Sequence, residues 1–330
     1  AGFKDCTVTL ANDISLATPT EGVGAGFTNN WIPIGTSSDK NFQGTFDGNY
    51  KTITGMTISS TSVNYIGLFG YLDGATVQDL TMADGGAPPA INLNTTTASG
   101  TGAGNNYYLG SVAGRVKKGK IINCHNKCAV SFSISDKSGN VGGIAGMIAE
   151  NSVVSACSNS GAITVSGSTV MGGGIIGESD KSSIVSCFNT GDVSATGTTN
   201  TAYAGGIVGD DVGYSTGSNI SHCYSTGNMT ANASQPNASG GIIGKAQCVT
   251  IESCFATGSV SAKSSSSSDV AAAGGIIGWI WSGGSVTIED CLALNTDGVK
   301  ATGNTSGKHA GRIVGYNQNS NNATLSNNYA

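Results

Sequence analysis

A glycine box that recurs eight times is the feature that most limits what this chain can fold into. Each box is a glycine, two or three mostly aliphatic residues and a second glycine. The copies are Gly67–Gly70, Gly110–Gly114, Gly143–Gly146, Gly174–Gly177, Gly206–Gly209, Gly241–Gly244, Gly275–Gly278 and Gly311–Gly315. Consecutive closing glycines lie 31 to 44 residues apart. A repeat of this size predicts a solenoid, in which each repeat packs against its neighbours along one continuous core.

A cysteine phrase recurs between the boxes and divides each repeat into strands. In a full copy, Ser or Thr and then Gly follow the cysteine at the third and fourth positions, and an aliphatic residue stands three positions before it. Full copies begin at Cys157, Cys187, Cys223 and Cys254, and degenerate copies begin at Cys124 and Cys291. We predict about three short strands per coil: the glycine box, the segment that ends at the cysteine, and the segment after the Ser/Thr-Gly turn. Stacked in parallel about 4.8 Å apart, such strands form an all-β parallel β-helix, or β-solenoid.

The spacing between the aliphatic residue and the cysteine predicts a bend. Strict alternation would put two residues three positions apart on opposite faces of a strand. Because the cysteine recurs so regularly, we expect a bend that turns both side chains inward and a ladder of six buried thiols. Parallel Cβ vectors suit a disulfide between neighbouring coils poorly. Cys6, Cys128 and Cys248 fall outside this ladder, and their redox state stays open, with a local disulfide as one alternative.

Both phrases together resemble a known repeat. The segment Gly240–Gly244, followed by Cys254 and then by Ala-Thr-Gly-Ser-Val at 256–260, is similar to the GLUG repeat of bacterial cell-surface and secreted proteins. Residues 31–35 and 42–53 resemble the lead-in of such repeats. The resemblance implies a right-handed β-helix outside the cell, of the kind found in adhesin-like proteins and beside some immunoglobulin-A metallopeptidases. We assign residues 1–58 to an N-terminal cap with lead-in strands, and residues 59–330 to repeats that form one solenoid with it.

Charge and composition exclude several classes of partner. The chain carries a net charge of −5 with only 15 lysines and arginines among 330 residues, so we expect no nucleic-acid partner. No stretch approaches the roughly 20 apolar residues of a membrane span. A metallopeptidase helix would need a His-Glu-x-x-His motif, which is missing among the three histidines His125, His222 and His309. A zinc ladder along the cysteines is disfavoured, since only His125 and His222 adjoin them. We expect a monomer without cofactor or metal.

Two acidic pairs are the candidates for glycoside hydrolysis, which uses two carboxyl groups on either side of the bond that breaks. They are Asp210 with Asp211, and Glu289 with Asp290. Because the members of each pair are neighbours in sequence, their side chains should diverge in a strand. No catalytic residue is therefore predicted.

The remaining candidates have a structural explanation. Arg115 and Arg312 lie in or beside glycine boxes, where we expect core packing or a salt bridge. Trp279 and Trp281 flank one residue, so their side chains should lie on the same face of an extended segment. Stacking against a sugar is one interpretation of this pair, and an aromatic cap over a turn is the favoured one.

The sequence favours a non-enzymatic extracellular β-solenoid that acts as an adhesin-like binding scaffold for a glycan or a surface or host protein. A carbohydrate-active lyase or hydrolase and a passive surface spacer remain as alternatives. The expected location is extracellular or on the bacterial cell surface. We expect recognition to involve the irregular segments, chiefly the insertion at 83–107 and the serine run Ser264–Ser268.

Overall fold

The chain folds into a parallel β-solenoid of about eight turns. The computed structural model describes residues 3–16, 31–84, 91–96, 106–213, 216–303, 306–319 and 322–330. All paired strands in these residues run parallel to their neighbours, so the all-β parallel fold predicted from the repeat is confirmed. The described residues contain no helix that is long and apolar enough to cross a membrane.

Three of the four sheets contain eight strands each, one from every coil. The pre-box sheet consists of Tyr65–Ile66, Asn106–Gly110, Ser138–Gly142, Val170–Gly173, Ala202–Gly205, Asn237–Gly240, Val270–Gly274 and Gly307–Gly311. The post-box sheet consists of Phe69–Asp73, Ala113–Lys117, Ala145–Ala149, Ile176–Asp180, Val208–Asp211, Ile243–Ala246, Ile277–Ile280 and Val314–Asn317. The post-turn sheet consists of Ile58–Thr61, Ile91–Thr96, Val130–Ile134, Ile163–Gly167, Val193–Gly197, Met229–Ala233, Val260–Ser264 and Val299–Gly303.

The fourth sheet, which we call the cysteine sheet, has sixteen strands and includes the N-terminal cap. Thr7–Thr9 and Ile14–Ser15 both pair with Thr45–Thr54, which in turn pairs with Thr76–Ala83. The strands that follow are Lys120–Asn126, Val153–Ser155, Ser158–Asn159, Ser183–Val185, Phe188–Asn189, Ser218–Ser221, Tyr224–Ser225, Val249–Glu252, Phe255–Ala256, Val286–Glu289, Leu292–Ala293 and Ala323–Ser326. The predicted cap is thus part of this sheet, while the boundary at residue 58 stays a prediction.

Each glycine box lies at a corner of the coil. In Gly174–Gly177, one strand ends at Gly173 and the next begins at Ile176, so the predicted box strand is two strands that meet within the box. Ile175 and Ile176 are consecutive and both belong to the buried core, whereas a regular strand would turn them to opposite faces. A Cβ on Gly177 would lie 2.5 Å from the backbone nitrogen of Val141, so glycine is required because two backbones approach closely.

The bend predicted before each cysteine is confirmed. Ile184 and Cys187 are both fully buried, and the intervening Ser186 has a left-handed backbone conformation with φ of 54°. This conformation turns the chain so that both side chains point inward. The same position is left-handed in the other coils, at Asp79, Asn123, Ala156, His222, Ser253, Asp290 and Asn327.

The six ladder cysteines are buried free thiols, as predicted. The Sγ of Cys223 accepts a hydrogen bond from the backbone N–H of Cys187 at 3.4 Å and donates one to the carbonyl oxygen of Ser221 at 3.2 Å. The thiol therefore satisfies one backbone group at the bend of its own coil and one at the bend of the adjacent coil, as well as filling the core. Outside the ladder, Cys6 is exposed, Cys128 is buried and Cys248 is half-buried, and all three are free.

A buried asparagine ladder stands two residues after the first three ladder cysteines. The side chain of Asn159 donates from Nδ2 to Asn189 Oδ1 at 2.7 Å and to the carbonyl oxygen of Gly161 at 2.8 Å. Its Oδ1 accepts the backbone N–H of Gly161 at 3.2 Å and Asn126 Nδ2 at 2.6 Å. The sequence prediction missed this ladder, although Cys-x-Asn recurs at Cys124, Cys157 and Cys187.

Candidate functional site

Two rows of outward side chains meet along the corner formed by the glycine boxes, and we call this strip the outer seam. One row is the residue after each closing glycine: Tyr71, Arg115, Met147, Glu178, Asp210, Lys245, Trp279 and Tyr316. The other row lies on the pre-box sheet: Tyr65, Tyr108, Asn140, Met171, Tyr203, Ala238, Ala272 and His309. Tyr203, Ala238, Ala272 and Trp279 form an apolar cluster separate from the core, so this part of the outer seam packs outside it.

The two rows contact each other across the corner. Asn140 donates a hydrogen bond from Nδ2 to Glu178 Oε2, although the two residues belong to successive coils. Lys245 Nζ lies 5.0 Å from the ring centroid of Tyr203, again one coil earlier. These two contacts join a pre-box residue of one coil to a post-box residue of the next, whereas the rings of Tyr65 and Tyr71, and of His309 and Tyr316, meet within one coil.

Three charged side chains occupy consecutive rungs at the middle of the outer seam. Glu178, Asp210 and Lys245 are register partners on adjacent strands, spaced by about 4.8 Å. Lys245 Nζ donates to Asp210 Oδ2 at 2.9 Å, and the two side chains are only 13% and 2% exposed. Such a pair is favourable only when its geometry is good and its other polar atoms are satisfied.

Burial and mutual charge set the protonation of this cluster. Burial, with repulsion from Asp210, raises the pKa of Glu178 to about 7. Burial also raises the pKa of Asp210 above its usual range, against the attraction of Lys245. Burial alone would lower the pKa of Lys245, but Asp210 and Tyr203 outweigh it and raise that pKa. The ammonium group of Lys245 is thus kept charged, while Glu178 titrates near neutral pH.

Trp279 and Trp281 lie on the same side of their segment, as predicted, with ring centroids 5.0 Å apart. Their location differs from the expected cap over a turn. Both rings pack on the outer face of the pre-box sheet, in the cluster that contains Ala238 and Ala272. Because these alanines have only a Cβ, the outer seam has room for the large rings. Trp279 is 3% exposed, whereas Trp281 is half-buried.

The predicted surroundings of both arginines are wrong. The guanidinium carbon of Arg115 lies 5.7 Å from the ring centroid of Tyr71 and 5.9 Å from that of Tyr108, so cation–π contacts hold it within the outer seam. Arg312 is exposed. With Asn295 and neighbouring residues it lines a cavity of about 330 Å³ beside the last coil.

The predicted acidic pairs diverge, as expected. Asp210 lies in the outer seam, whereas Asp211 is fully buried in register with Ser179, where burial raises its pKa to about 7. Glu289 is in a strand of the cysteine sheet, and Asp290 occupies the left-handed corner after it.

The structure instead brings together Glu178 and Asp210, a pair that the sequence prediction missed. The two carboxylates come from different coils and lie on adjacent rungs. A signal for them was present in the sequence: the position after the closing glycine changes from coil to coil, while the glycine before it is constant.

The histidine beside the first ladder cysteine faces away from it. His125 is half-buried and its Nδ1 lies 2.8 Å from Ser158 Oγ, whereas Cys124 points into the core. Among the described residues, no group of three or more His, Cys, Asp or Glu side chains is placed to hold a metal ion.

The irregular segments expected to take part in recognition are only partly described. Of the insertion at 83–107, residues 85–90 and 97–105 lie outside the described residues, and Ile91–Thr96 is a strand of the post-turn sheet. In the serine run, Ser264 Oγ accepts the backbone N–H of Ser266 at 3.2 Å. A cavity of about 290 Å³ lies beside this run, lined by Thr196, Gly197, Thr198, Asn232, Ala233, Ser234, Lys263 and Ser265. Recognition by these segments stays a prediction.

The chain is similar to a solved bacterial structure. No family model matches the chain, and no curated protein matches it. The chain is similar to the crystal structure of a candidate immunoglobulin A1 protease from Bacteroides ovatus, with 19% sequence identity and a TM-score of 0.43. The similarity covers 99% of this chain and 68% of the other. A similarity of this size supports no inference about function.

Proposed function

We propose that this protein is a non-enzymatic, adhesin-like scaffold that binds a glycan or a surface protein along the outer seam. The observation that carries the proposal is the contrast between two rows. The inward cysteine position keeps one residue type through six coils, whereas the post-box row of the outer seam presents seven residue types in eight coils. Stacking of the coils explains why the cysteine position is constant. It does not explain why the post-box row changes from coil to coil.

The chemistry of the outer seam favours a glycan over a protein partner. Aromatic rings occur together with carboxylate, amide and ammonium groups, for example Trp281 with Asp210 and Lys245. A ring face packs against the apolar face of a sugar, and the polar groups hydrogen-bond to its hydroxyls. The same combination of apolar surface with a few placed polar groups is typical of small-molecule sites.

The resemblance to GLUG repeats supports an extracellular or bacterial cell-surface location. The protein acts there as a monomer, without nucleic-acid partners and without inserting into a membrane. Brief protease treatment of intact source cells would remove a surface-exposed protein but leave an internal one. Sedimentation of the purified chain checks the monomer.

The proposal is tested with a glycan array and a pull-down from cell-surface extracts. Wild-type protein should retain specific oligosaccharides on the array, and a Trp281→Ala variant should retain less. Phe255→Ala is the matched control, because Phe255 is an exposed aromatic residue on the cysteine sheet, away from the outer seam. An array and a pull-down that both stay blank at high protein concentration would count decisively against a binding scaffold.

A carbohydrate-active enzyme is the second candidate, and the pair Glu178 and Asp210 is the observation that favours it. A carboxyl group with a pKa near 7 beside a second carboxylate matches the acid and nucleophile of glycoside hydrolases. Against it, Asp210 is bound by Lys245 and Glu178 by Asn140. Incubation with polysaccharides and a reducing-end assay decides between the two. Product release by the wild type that is lost in Glu178→Gln would establish the enzyme instead of the scaffold.

A further inference from the structure

Besides Nε of Arg115 on the second rung, two buried polar atoms in the outer seam have no hydrogen-bond partner. They are Oδ1 of Asp210, whose residue is 1% exposed, and Nε1 of Trp279, whose residue is 3% exposed. An unpaired polar atom in a buried position is unfavourable, and most such atoms in native proteins are satisfied. One of these atoms is an acceptor and the other is a donor, and both belong to the same row.

Lys245 lies between these two residues and is held in place from three sides. It occupies the rung between Asp210 and Trp279, so the Cα atoms of those two residues are about 10 Å apart. Its Nζ donates to Asp210 Oδ2 at 2.9 Å and lies 5.0 Å and 5.6 Å from the ring centroids of Tyr203 and Trp281. An ammonium group has three donors, so Lys245 has further donors besides the one bound to Asp210.

One row of the outer seam thus holds the acceptor of Asp210, the ammonium group of Lys245 and the indole donor of Trp279. Together these groups suit the hydroxyl groups of a sugar. A hydroxyl both donates and accepts, so adjacent hydroxyls on one ring can donate to Asp210 and accept from Lys245 or Trp279. The half-buried ring of Trp281, 5.0 Å from that of Trp279, offers an apolar face beside these groups. Asp210 and Glu178 would repel an acidic sugar, which favours a neutral one.

We infer that Asp210, Lys245 and Trp279, with Trp281 as the accessible ring, form a subsite for a neutral sugar residue that packs on Trp281 and whose adjacent hydroxyls pair with the two unpartnered atoms once a side-chain rearrangement exposes them. The subsite rests on the proposed function, since it names the ligand class and the place where the scaffold holds it. Recognition is by hydrogen bonding and ring packing, and no bond of the sugar is broken.

Titration with defined oligosaccharides tests the subsite. The probes are neutral gluco-, manno-, galacto- and xylo-oligosaccharides, with an oligogalacturonate as the acidic comparison. Calorimetry measures affinity, and tryptophan emission reports the site, because two of the chain's three tryptophans lie in it. Trp31, whose Nε1 donates to the carbonyl oxygen of Leu68, is replaced by Phe to remove its signal. A neutral probe should bind and shift the emission of the Trp31→Phe protein.

The variants separate this subsite from the scaffold as a whole. Trp281→Ala and Asp210→Asn should each weaken binding by about tenfold or more, while Phe255→Ala should bind as the wild type does. If Asp210→Asn fails to fold, Trp281→Ala decides alone, since its ring is half-buried and follows the end of a strand. Wild-type affinity in Trp281→Ala, or tighter binding of the acidic probe, overturns the subsite but leaves the scaffold standing. A wild type that binds no glycan or surface protein at all overturns both.

Discussion

Single residues at the bend before each cysteine explain why that cysteine recurs. A left-handed conformation at a residue other than glycine costs about 1–2 kcal/mol. Ser186 and His222 adopt it in consecutive coils, and each is followed by a buried cysteine. The Sγ of Cys223 binds the backbone N–H of Cys187, next to the bend of the earlier coil. A thiol is small enough for the core and still accepts this hydrogen bond, which an alanine or a valine would not.

Cys223→Ala should lower the free energy of unfolding by about 1–3 kcal/mol, because the N–H of Cys187 loses its partner in a buried position. Urea denaturation followed by circular dichroism measures the change. Cys6→Ala serves as the control, since Cys6 is exposed, and it should leave the transition where it was. Equal effects of the two substitutions would contradict a stabilising role of the ladder thiol and of its hydrogen bond.

Glu178 should make the protein less stable as the pH rises. Its folded-state pKa of about 7 lies above the ordinary value of 4.5, because of burial and the neighbouring Asp210. The folded form therefore holds the proton more tightly than the unfolded form. This contribution is complete below about pH 4.5 and is lost as the pH rises through about 7, to a total of about 3 kcal/mol. Asn140, Lys245 and Arg115 act in the opposite direction and are included in that pKa.

The measurement is urea unfolding of wild type and Glu178→Gln at pH 5 and pH 8. The wild type should lose more stability between these pH values than the variant does. Asp211 titrates with the same sign in both proteins, so it cancels in the difference. Glu252→Gln, which changes an exposed carboxyl on the cysteine sheet, should follow the wild type. Parallel losses in wild type and Glu178→Gln would exclude Glu178 as the source.

At the scale of strands and corners, the spacing of residues in the sequence predicted only part of the structure. The inward bend could be predicted because the spacing of Ile184 and Cys187 conflicts with simple alternation within one short segment. The corner at the glycine box could not, since Ile175 and Ile176 are equally apolar whether they are in one strand or between two. Which residues meet in the outer seam depends on how the pre-box strand of one coil packs on the post-box strand of the next. The spacing of residues in the sequence does not show how these two strands lie against each other, so the pairing of Asn140 with Glu178 was missed.

Gly177→Ala should destabilise the corner by about 2–3 kcal/mol, as overpacking does. The new Cβ would lie 2.5 Å from the nitrogen of Val141 and 2.6 Å from the oxygen of Gly146, and backbone atoms cannot move aside singly. Gly74→Ala is the comparison: its Cβ meets nothing within 4 Å, but φ is +69°, so only a strain of about 1–2 kcal/mol is expected. Thermal and urea transitions of both variants measure the difference. If the Gly177→Ala protein is as stable as Gly74→Ala, the pre-box and post-box sheets can move apart at the corner.

At the scale of the whole molecule, the solenoid is a stack in which each coil contacts its two neighbours. The core is fully buried through most of the stack, whereas the inward residues of the last coil, such as Val299 and Val314, are only half-buried. Stability in such an array is approximately a sum over coils and the interfaces between them. A complete coil can therefore be removed without disturbing the register of the others.

Deletion of residues 206–240 should leave a folded but shorter solenoid that lacks the proposed sugar subsite. The deletion joins Gly205 to Gly241 and places Cys187 next to Cys254, so the core ladder continues. It removes Asp210 from the outer seam and keeps Lys245 and Trp279. We expect a sheet-type circular dichroism spectrum, a single unfolding transition at lower urea, and binding weakened by about tenfold or more.

Deletion of residues 143–173 is the matched control. It also removes one coil, but it leaves Asp210, Lys245 and Trp279 in place with Tyr203, so affinity for a short oligosaccharide should persist. A passive spacer would show no difference between the two deletions in any binding assay. Loss of binding in both would place recognition over the whole length of the outer seam.

The way the seam residues are attached to the coils has an evolutionary consequence. Each coil contributes one side chain after its closing glycine, and its backbone is in register with the same position above and below. Tandem duplication of one repeat in the gene would therefore lengthen the outer seam by a single step of about 4.8 Å. Point mutation at that position would then change the chemistry of the outer seam without touching the core. A lineage built on this plan can adjust the length and the chemistry of this surface as separate variables.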